Sequence, residues 1–341
     1  MRNTTCQASG RSTLEGARIL TGTMTGTAHE GRTIWVVSDG RRGIENQALG
    51  LAEALEARLK GAVHIERVVA RKDGFVTLPA ESTPDIWIGC GRAAIPLARR
   101  QRRIFPDCVF VYVQDPRTRH NDFDLVIAPR HDRLTGANVL PMIGSPNRVT
   151  HDMLTTAKSA FSRELEAYAS PRAAVLIGGD SKRFKLDNAA ANYLETRLDS
   201  LLARDLSLMV TVSRRTPERV RDRFRERFAD QDQVWYFDGD GPNPYFAFLA
   251  AADWIFVTEE STNMLVEACA TGTPVYVLPL SGTPGKFARL HADLEAHGAV
   301  RPYLGEPDRW TYTPLLETQR VADQMLARVQ VAPSSQTGRA A

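Results

Sequence analysis

Two adjacent carboxylates, Glu259 and Glu260, close an apolar run in the stretch DWIFVTEESTNMLVEACATGTPVYVLPL, residues 253–280, and Ser261, Thr262 and Asn263 open a helical pattern directly after them. Hydroxyl residues at a helix start cap it, and the free amides and positive dipole end there attract an anion such as a phosphate. Asn263 and Glu267 are four residues apart, so they share one helix face. Glu267 interrupts an otherwise apolar helix and therefore needs a partner. An ionised carboxylate can accept both hydroxyl hydrogens of a ribose; a nearby arginine or the backbone is the plain alternative. Gly272 ends the helix as a C-terminal glycine should.

Three further strand ends carry polar groups. In LIGGDSKRFKLD, residues 176–187, Gly178 and Gly179 are followed by Ser181 and Lys182. Paired glycines let backbone amides approach a phosphate, although neither GxxxxGK[ST] nor GxGxxG is present and an ordinary turn explains the glycines equally well. In VTVSRRTPERV, residues 210–220, the run ends on Ser213, Arg214 and Arg215, with Thr216 as helix cap and Pro217 at the first helical position. An arginine there suits a diphosphate, or is simply solvated on a capped surface helix. In VVSDGRRGIENQALG, residues 36–50, Asp39 and Gly40 end the first strand, and Gly43, Asn46 and Gln47 stand at the next helix start. YVQDPR and APRHD add Gln114, Asp115, Arg117, His131 and Asp132 just beyond two more strands. Five polar groups at two strand ends exceed what turn chemistry requires.

The elements that must hold these residues follow from periodicity. Short apolar runs at 33–38, 85–89, 108–113 and 123–128 alternate with helical patterns. In the first helix Ala48, Leu51, Ala52, Leu55 and Leu59 make one buried stripe. A second strand–helix series begins at 173–179, after a helix over 151–169 that stops at Ser170-Pro171. Apolar runs spaced by helices imply parallel sheets covered on both faces. The expected fold is α/β, with two doubly wound Rossmann-like domains, 32–169 and 170–331, facing a central cleft. Ligands of such sheets sit beyond the carboxyl ends of the strands. Residues 1–31 and 332–341 read as disordered tails, and Met24 is an alternative start.

A chain of 341 residues with 43% apolar and 24% charged residues has room for two cores. The net charge of +3 gives no reason to expect nucleic acid. Cys6, Cys90, Cys108 and Cys269 form no CxxC pair and read as free thiols of a reducing compartment. No apolar run reaches the length of a membrane span, and the first 31 residues contain no signal-peptide core.

The element GGDS (178–181) with STNMLVEACATGTPV (261–275) resembles the donor domain of GT-B glycosyltransferases, notably the type that forms lipid II by adding N-acetylglucosamine. From about 33 to 320, the motifs WVVSDGRRGIENQALGLAEAL, VQDPR, PRHD, SRRTP and STNMLVEACATGTPVYV are similar to the plant elongated-mitochondria (mitochondrial fission) family and its proteobacterial relatives. The resemblance implies a GT-B-like fold. It also implies a donor site for a nucleotide-diphosphate sugar built from Gly178, Gly179, Ser181, Lys182, Ser213, Arg214, Arg215, Glu260, Ser261, Thr262, Asn263 and Glu267. Glu267 would hold the ribose. Gly40, Gly43, Asn46, Gln47, Gln114, Asp115 and His131 would face an acceptor.

The first loop, SDGRRGIENQ, has fewer glycines than the lipid II enzyme's and no histidine, so Asp39 is the expected base. No DxD pattern stands where a metal would be expected, and neither metal nor cofactor is anticipated. The expected activity is inverting glycosyl transfer, with a lipid-linked or envelope-glycan acceptor. The alternatives are a non-catalytic adaptor on the same fold and a GT-B-like nucleotide-sugar 2-epimerase. Arg99, Arg100, Arg102 and Arg103, interleaved with Ile95, Leu97, Ile104 and Phe105, suggest peripheral contact with the inner face of the cytoplasmic membrane, or else a solvated helix face.

Overall fold

The computed structural model describes residues 19–20, 31–71, 76–79, 82–117 and 120–329. The tails expected at 1–31 and 332–341 lie outside the described residues, apart from Ile19, Leu20 and Gly31; Ile19–Leu20 pair in parallel with Val76–Thr77.

Six strands of the first half, β1 (Arg32–Ser38), β2 (Val63–Val69), β3 (Ile86–Cys90), β4 (Val109–Val113), β5 (Leu125–Pro129) and β6 (Val139–Met142), form one parallel sheet in the order β2-β1-β3-β4-β5-β6. Six more, β7 (Arg172–Ile177), β8 (Ser207–Val212), β9 (Val234–Phe237), β10 (Trp254–Thr258), β11 (Val275–Leu278) and β12 (Val300–Pro302), form a second in the order β9-β8-β7-β10-β11-β12. Alternate residues of each central strand feed opposite cores. Ile34 and Val36 of β1 join the layer of helix α1 (Arg42–Glu56), while Trp35 and Val37 pack with Trp87, Phe110 and helix α2 (Ala94–Ile104). This two-sided burial is why the strands read as unbroken apolar runs. Strand order reverses between β1 and β3 in the first lobe and between β7 and β10 in the second, which gives each lobe a switch point. The architecture is GT-B-like: two doubly wound lobes with a cleft between them.

The remaining helices are α3 (His151–Ala160), α4 (Ser162–Glu166), α5 (Asn188–Leu202), α6 (Glu218–Phe228), α7 (Tyr245–Ala251), α8 (Thr262–Cys269), α9 (Phe287–Ala296) and α10 (Glu317–Arg328). Three of them, α3, α4 and α10, cross over. Leu154, Phe161 and Leu165 of the α3–α4 segment pack against Phe248 and Leu249 of α7, in the second lobe. Val321, Ala322 and Met325 of α10 complete the first-lobe core beneath Leu51 and Leu55. Polar bonds fix α10 there: the Glu317 carboxylate accepts from Ile143 N at 2.6 Å, and Arg320 donates to the Pro141 carbonyl at 2.8 Å. A cut at 169/170, the boundary read from sequence, leaves each lobe without one helix that covers it. Strand–helix alternation locates strands but does not say which sheet a helix at the end of a series will cover.

Cys90, Cys108 and Cys269 are buried free thiols.

Candidate functional site

A solvent-open cleft lies between the lobes, with about 600 Å³ of empty space that includes its open mouth. On the first-lobe side Gln47, Gln114, Asp115, His131 and Asp132 line it; on the second-lobe side Thr262, Asn263, Lys286 and Phe287 do. A narrower, solvent-open recess adjoins it through Gln47, Ser145 and Asn263, and adds Gly43, Asn46 and Glu267.

The first-lobe wall is built at the ends of β4 and β5. Gln114 follows β4 with φ 87° and Arg117 has φ 70°, left-handed values uncommon for residues with side chains. The backbone bond from Gln114 N to the Ile127 carbonyl (2.8 Å) and the turn closed by Arg117 N on Asp115 Oδ1 (2.6 Å) hold this loop. Gln47 is a hub. Its Nε2 donates to Gly43 O (3.1 Å) and Asn263 Oδ1 (3.3 Å), and its Oε1 accepts from Gln114 Nε2 (2.9 Å) and from the Cys90 thiol (3.8 Å). With both donors and both acceptor sites engaged, Gln47 positions Gln114 and joins the lobes. Asn263 Nδ2 reaches back to Gly43 O at 3.3 Å.

His131 lies in the turn after β5 and is only 5% exposed. Its ring stands edge-on to Phe287, with centroids 5.4 Å apart, and its carbonyl accepts from Arg289 Nε at 3.1 Å. Nε2 is 3.9 Å from Asp132 Oδ1, while Nδ1 is buried without a hydrogen-bond partner. Burial pushes the imidazole pKa down to about 4; Asp132 opposes this, and Lys286 and Arg289 reinforce it. The ring is therefore neutral at pH 7. Lys286 is paired with Asp132, which ties α9 to the first lobe.

On the second-lobe wall, Ser261 occupies the cap position of α8, but its hydroxyl makes no capping bond, contrary to the expectation that Ser261 or Thr262 would cap this helix. Its own N–H donates to Thr258 O at 3.2 Å, and Thr262 N donates to Glu260 O at 3.2 Å: the tight turn out of β10, rather than a side chain, starts the helix. Glu267 is half-buried, and its Oε2 accepts from the Tyr245 hydroxyl at 2.6 Å. Burial raises its pKa to about 7, against the opposing pull of that bond.

Other residues anticipated at the donor site meet one another rather than either cavity. Gly178 N donates to Thr258 Oγ1 (2.8 Å), Gly179 N donates to Glu260 Oε1 (2.7 Å), and Arg215 Nη2 lies 3.3 Å from the same carboxylate. A Cβ on Gly178 would stand 1.7 Å from Glu260 Oε1, and one on Gly179 would stand 2.1 Å from the Arg215 carbonyl. Both glycines are thus required by the protein's own packing. Burial raises the Glu260 pKa, which outweighs the Gly179 amide and Arg215. Thr216 does not cap α6, which starts at Glu218 after Pro217; its hydroxyl donates instead to the Gly178 carbonyl. Ser181 Oγ accepts from Phe184 N at 3.1 Å and closes a local loop, and Ser213 Oγ accepts from Arg215 N at 3.1 Å. Lys182 and Arg214 are exposed. Glu259 turns toward β11, where it accepts from Leu280 N at 2.6 Å.

Asp39 and Gly40 follow β1 and line neither cavity. Arg41 donates to Asp39 Oδ2 through Nη2 (2.7 Å) and Nε (3.0 Å). Burial tends to raise the Asp39 pKa, but the Arg41 bonds prevail and hold it below the usual carboxylate range. Among the described residues no cluster of His, Cys, Asp and Glu is arranged to hold a metal ion. Ser145, Lys286, Phe287 and Tyr245 were not singled out from sequence. The turn Pro284-Gly285-Lys286 before a helix, just past a strand, repeats the signal of the other strand ends and marks Lys286.

A family model described as mitochondrial fission ELM1 matches residues 42–329. The mitochondrial fission protein ELM1 of Arabidopsis thaliana is 32% identical over 304 residues, covering 81% of this chain and 69% of that protein. An uncharacterized protein of Rickettsia prowazekii is 24% identical over 355 residues, covering 85% of this chain and 96% of its own. Among solved structures, the UDP-GlcNAc 2-epimerase of Methanocaldococcus jannaschii superposes with a TM-score of 0.54 at 11% identity, over 87% of this chain and 99% of that one. The same enzyme in complex with UDP-GlcNAc and UDP gives 0.52 at 12% identity, again over 87% and 99%. At such identity the likeness is one of fold. The family match spans both lobes and the crossing helix α10, and on that ground this chain belongs to the mitochondrial fission ELM1 family.

Proposed function

We propose that the chain is an inverting glycosyltransferase whose nucleotide-diphosphate sugar donor lies across the two adjoining cavities. The observation that carries this reading is the convergence of two helix starts on one cavity, α8 at Thr262–Asn263 and α9 at Lys286–Phe287, opposite Gln114 and His131. Both helix starts turn positive dipole ends to the cavity; at α9 the Phe287, Ala288 and Arg289 N–H groups bond the Pro284, Gly285 and Lys286 carbonyls and Lys286 is paired with Asp132, so a pyrophosphate would be held chiefly at the start of α8. Glu267, one oxygen held by Tyr245, takes the ribose hydroxyls in the recess. Gly179 and Arg215 bond Glu260, Gly178 bonds Thr258 and Ser213 holds Arg215, so these residues act behind the site, on the turn into α8. The M. jannaschii epimerase of similar fold is described with UDP-GlcNAc and UDP, ligands of the class proposed.

The acceptor side is the polar first-lobe wall. Two of the four arginines of the basic stretch are engaged by carboxylates, Arg99 with Asp122 (2.7 Å) and Arg102 with Asp124 (2.9 Å). Arg100, Arg103 and Ile104 stay exposed and form the proposed contact with an anionic cytoplasmic membrane face, where a lipid-linked acceptor would be met. Among the described residues no helix is long and apolar enough to cross a membrane.

Thermal unfolding with UDP-GlcNAc, UDP-glucose, GDP-mannose and dTDP-glucose tests the reading. A bound donor at a hundredfold excess over its Kd stabilises the native state by about 2.7 kcal/mol, and Glu267→Ala should lose that response. No response to any donor would favour a non-catalytic adaptor on this fold. The ionised Glu267 is the better hydroxyl acceptor, so donor affinity should rise with pH through about 7, and Glu267→Gln should flatten that profile. A second reading, a nucleotide-sugar 2-epimerase, draws on the epimerase neighbours; it predicts a C2-inverted nucleotide sugar formed without acceptor.

A further inference from the structure

We propose that Tyr245 is the positioning residue of this site: its phenol anchors one oxygen of the Glu267 carboxylate and leaves the other, Oε1, to the hydroxyls of a ribose edge at the recess. The assignment rests on the donor reading above. It also narrows the ligand class, to a ribonucleoside diphosphate in preference to its 2′-deoxy form.

Three observations carry it. First, the Tyr245 hydroxyl donates to Glu267 Oε2 at 2.6 Å, within the short range of bonds from a hydroxyl to an ionised carboxylate. Secondly, among the described residues no group donates to Oε1, yet that oxygen is not one of the sealed, unpaired polar atoms. Glu260 is the contrast, since its unpaired oxygen, Oε2, is closed off from solvent. Oε1 of Glu267 therefore keeps access to the recess that the residue lines, where a hydroxyl can reach it. Thirdly, the anchor is itself held. Tyr245 opens α7, its N–H donates to Asn243 Oδ1 at 3.0 Å, and its ring meets Phe246 edge-on with centroids 5.3 Å apart.

The groups facing the carboxylate are few. Asn46, Gln47, Ser145, Asn147 and Asn263 complete the polar lining of the recess, and none carries a charge. Tyr245 is the titratable neighbour; burial and the Glu267 charge push its own pKa up, so it stays a donor. Its bond opposes the burial that raises the Glu267 pKa to about 7. Removing the hydroxyl would let burial raise that pKa further and leave the carboxyl protonated at pH 7. A protonated carboxyl that is free to turn is a poorer acceptor for two neighbouring hydroxyls.

The test uses the full chain. UDP, GDP and ADP are titrated by calorimetry at pH 7 and pH 9, each beside its 2′-deoxy form. Carbon-13 resonances of the glutamate carboxyls and tyrosine rings are followed from pH 5 to 9, that of Glu267 being identified by its loss in Glu267→Gln. With the ribonucleotide that binds, Tyr245→Phe should weaken binding about tenfold at pH 7, narrowing to about twofold at pH 9. The wild type should favour the ribose form about tenfold over the deoxy form, and the variant should lose most of that preference. In the free protein the Glu267 carboxyl should titrate near pH 7 in the wild type and about one pH unit higher in Tyr245→Phe. A Glu267 midpoint unmoved by Tyr245→Phe, an equal binding deficit at both pH values, or an unchanged preference for ribose would each overturn the assignment and leave the donor reading standing. Failure of all three ribonucleotides to bind would overturn the donor reading, and the assignment with it. Two wild-type readouts cover a variant that misfolds: the Tyr245 ring signal should follow the Glu267 midpoint, and bound ribonucleotide should move that midpoint down. Independent titration of the two side chains, or a midpoint that stays in place on binding, would equally overturn the assignment.

Discussion

The two switch points, one per lobe, use the same two side-chain types and reach opposite electrostatic outcomes. In the first lobe Asp39 is gripped by Arg41 at 2.7 and 3.0 Å; in the second Glu260 has Arg215 at 3.3 Å and the Gly179 amide at 2.7 Å. The Asp39 pKa is lowered, whereas that of Glu260 is raised. Burial pushes both upward, and the difference lies in what opposes it. The Glu260 side chain is fully enclosed and its arginine is more distant; the Asp39 side chain keeps 13% exposure and receives two guanidinium bonds on one oxygen. An arginine beside a carboxylate does not by itself make an acidic site; the balance between lost water and bond geometry decides.

The comparison can be broken most forcefully at the glycines. Gly179→Ala would drive a methyl into the Arg215 backbone and should cost about 3 kcal/mol or more, read by urea unfolding. Its counterpart Gly40→Ala, at φ 77° with only the two Val69 methyls nearby, at 3.3 and 4.0 Å, should cost about 1 kcal/mol. Next come the carboxylates. Glu260→Ala strands a buried amide and should cost about 2–3 kcal/mol, whereas Asp39→Ala should cost under about 1 kcal/mol because Arg41 is mostly exposed. The smallest effect is the pH dependence, and its sign differs between the lobes. Glu260 has a folded pKa above its unfolded value, so its share of stability is complete below about pH 4.5 and is lost as pH rises through the folded pKa. Asp39 has a folded pKa below its unfolded value, so its share is present above about pH 3.8 and is lost as pH falls through the folded pKa. Unfolding midpoints over pH 3–8 should lose the first dependence in Glu260→Gln and the second in Asp39→Asn; matching behaviour in both variants would refute the contrast.

Much of this architecture is legible in the sequence. Unbroken Val, Ile and Leu runs identify the strands of sheets covered on both faces, and four-residue spacing puts Asn263 and Glu267 on the one face of α8 that meets the recess. Direction within a junction is not legible. Glu259, Glu260 and Thr262 are near neighbours, yet Glu259 bonds toward β11, Glu260 turns back to β7, and Thr262 faces the cleft. The turn geometry after β10 settles this, and side-chain type does not report it. The left-handed backbone of Gln114 is equally hidden, since glutamine carries no propensity for it. His131 reads as one polar group among five; its packing against Phe287, more than 150 positions along the chain, is not readable from its neighbours in sequence.

The crossing of α3 and α10 has a practical consequence. A half-length polypeptide ending near residue 169 would leave the surface under Leu51 and Leu55 uncovered and carry a stray amphipathic helix with nothing to lie on. Its complement would bring the missing lid but lack the floor beneath it. Neither piece has a reason to be soluble alone, whereas the two made together should find each other and rebuild the cleft.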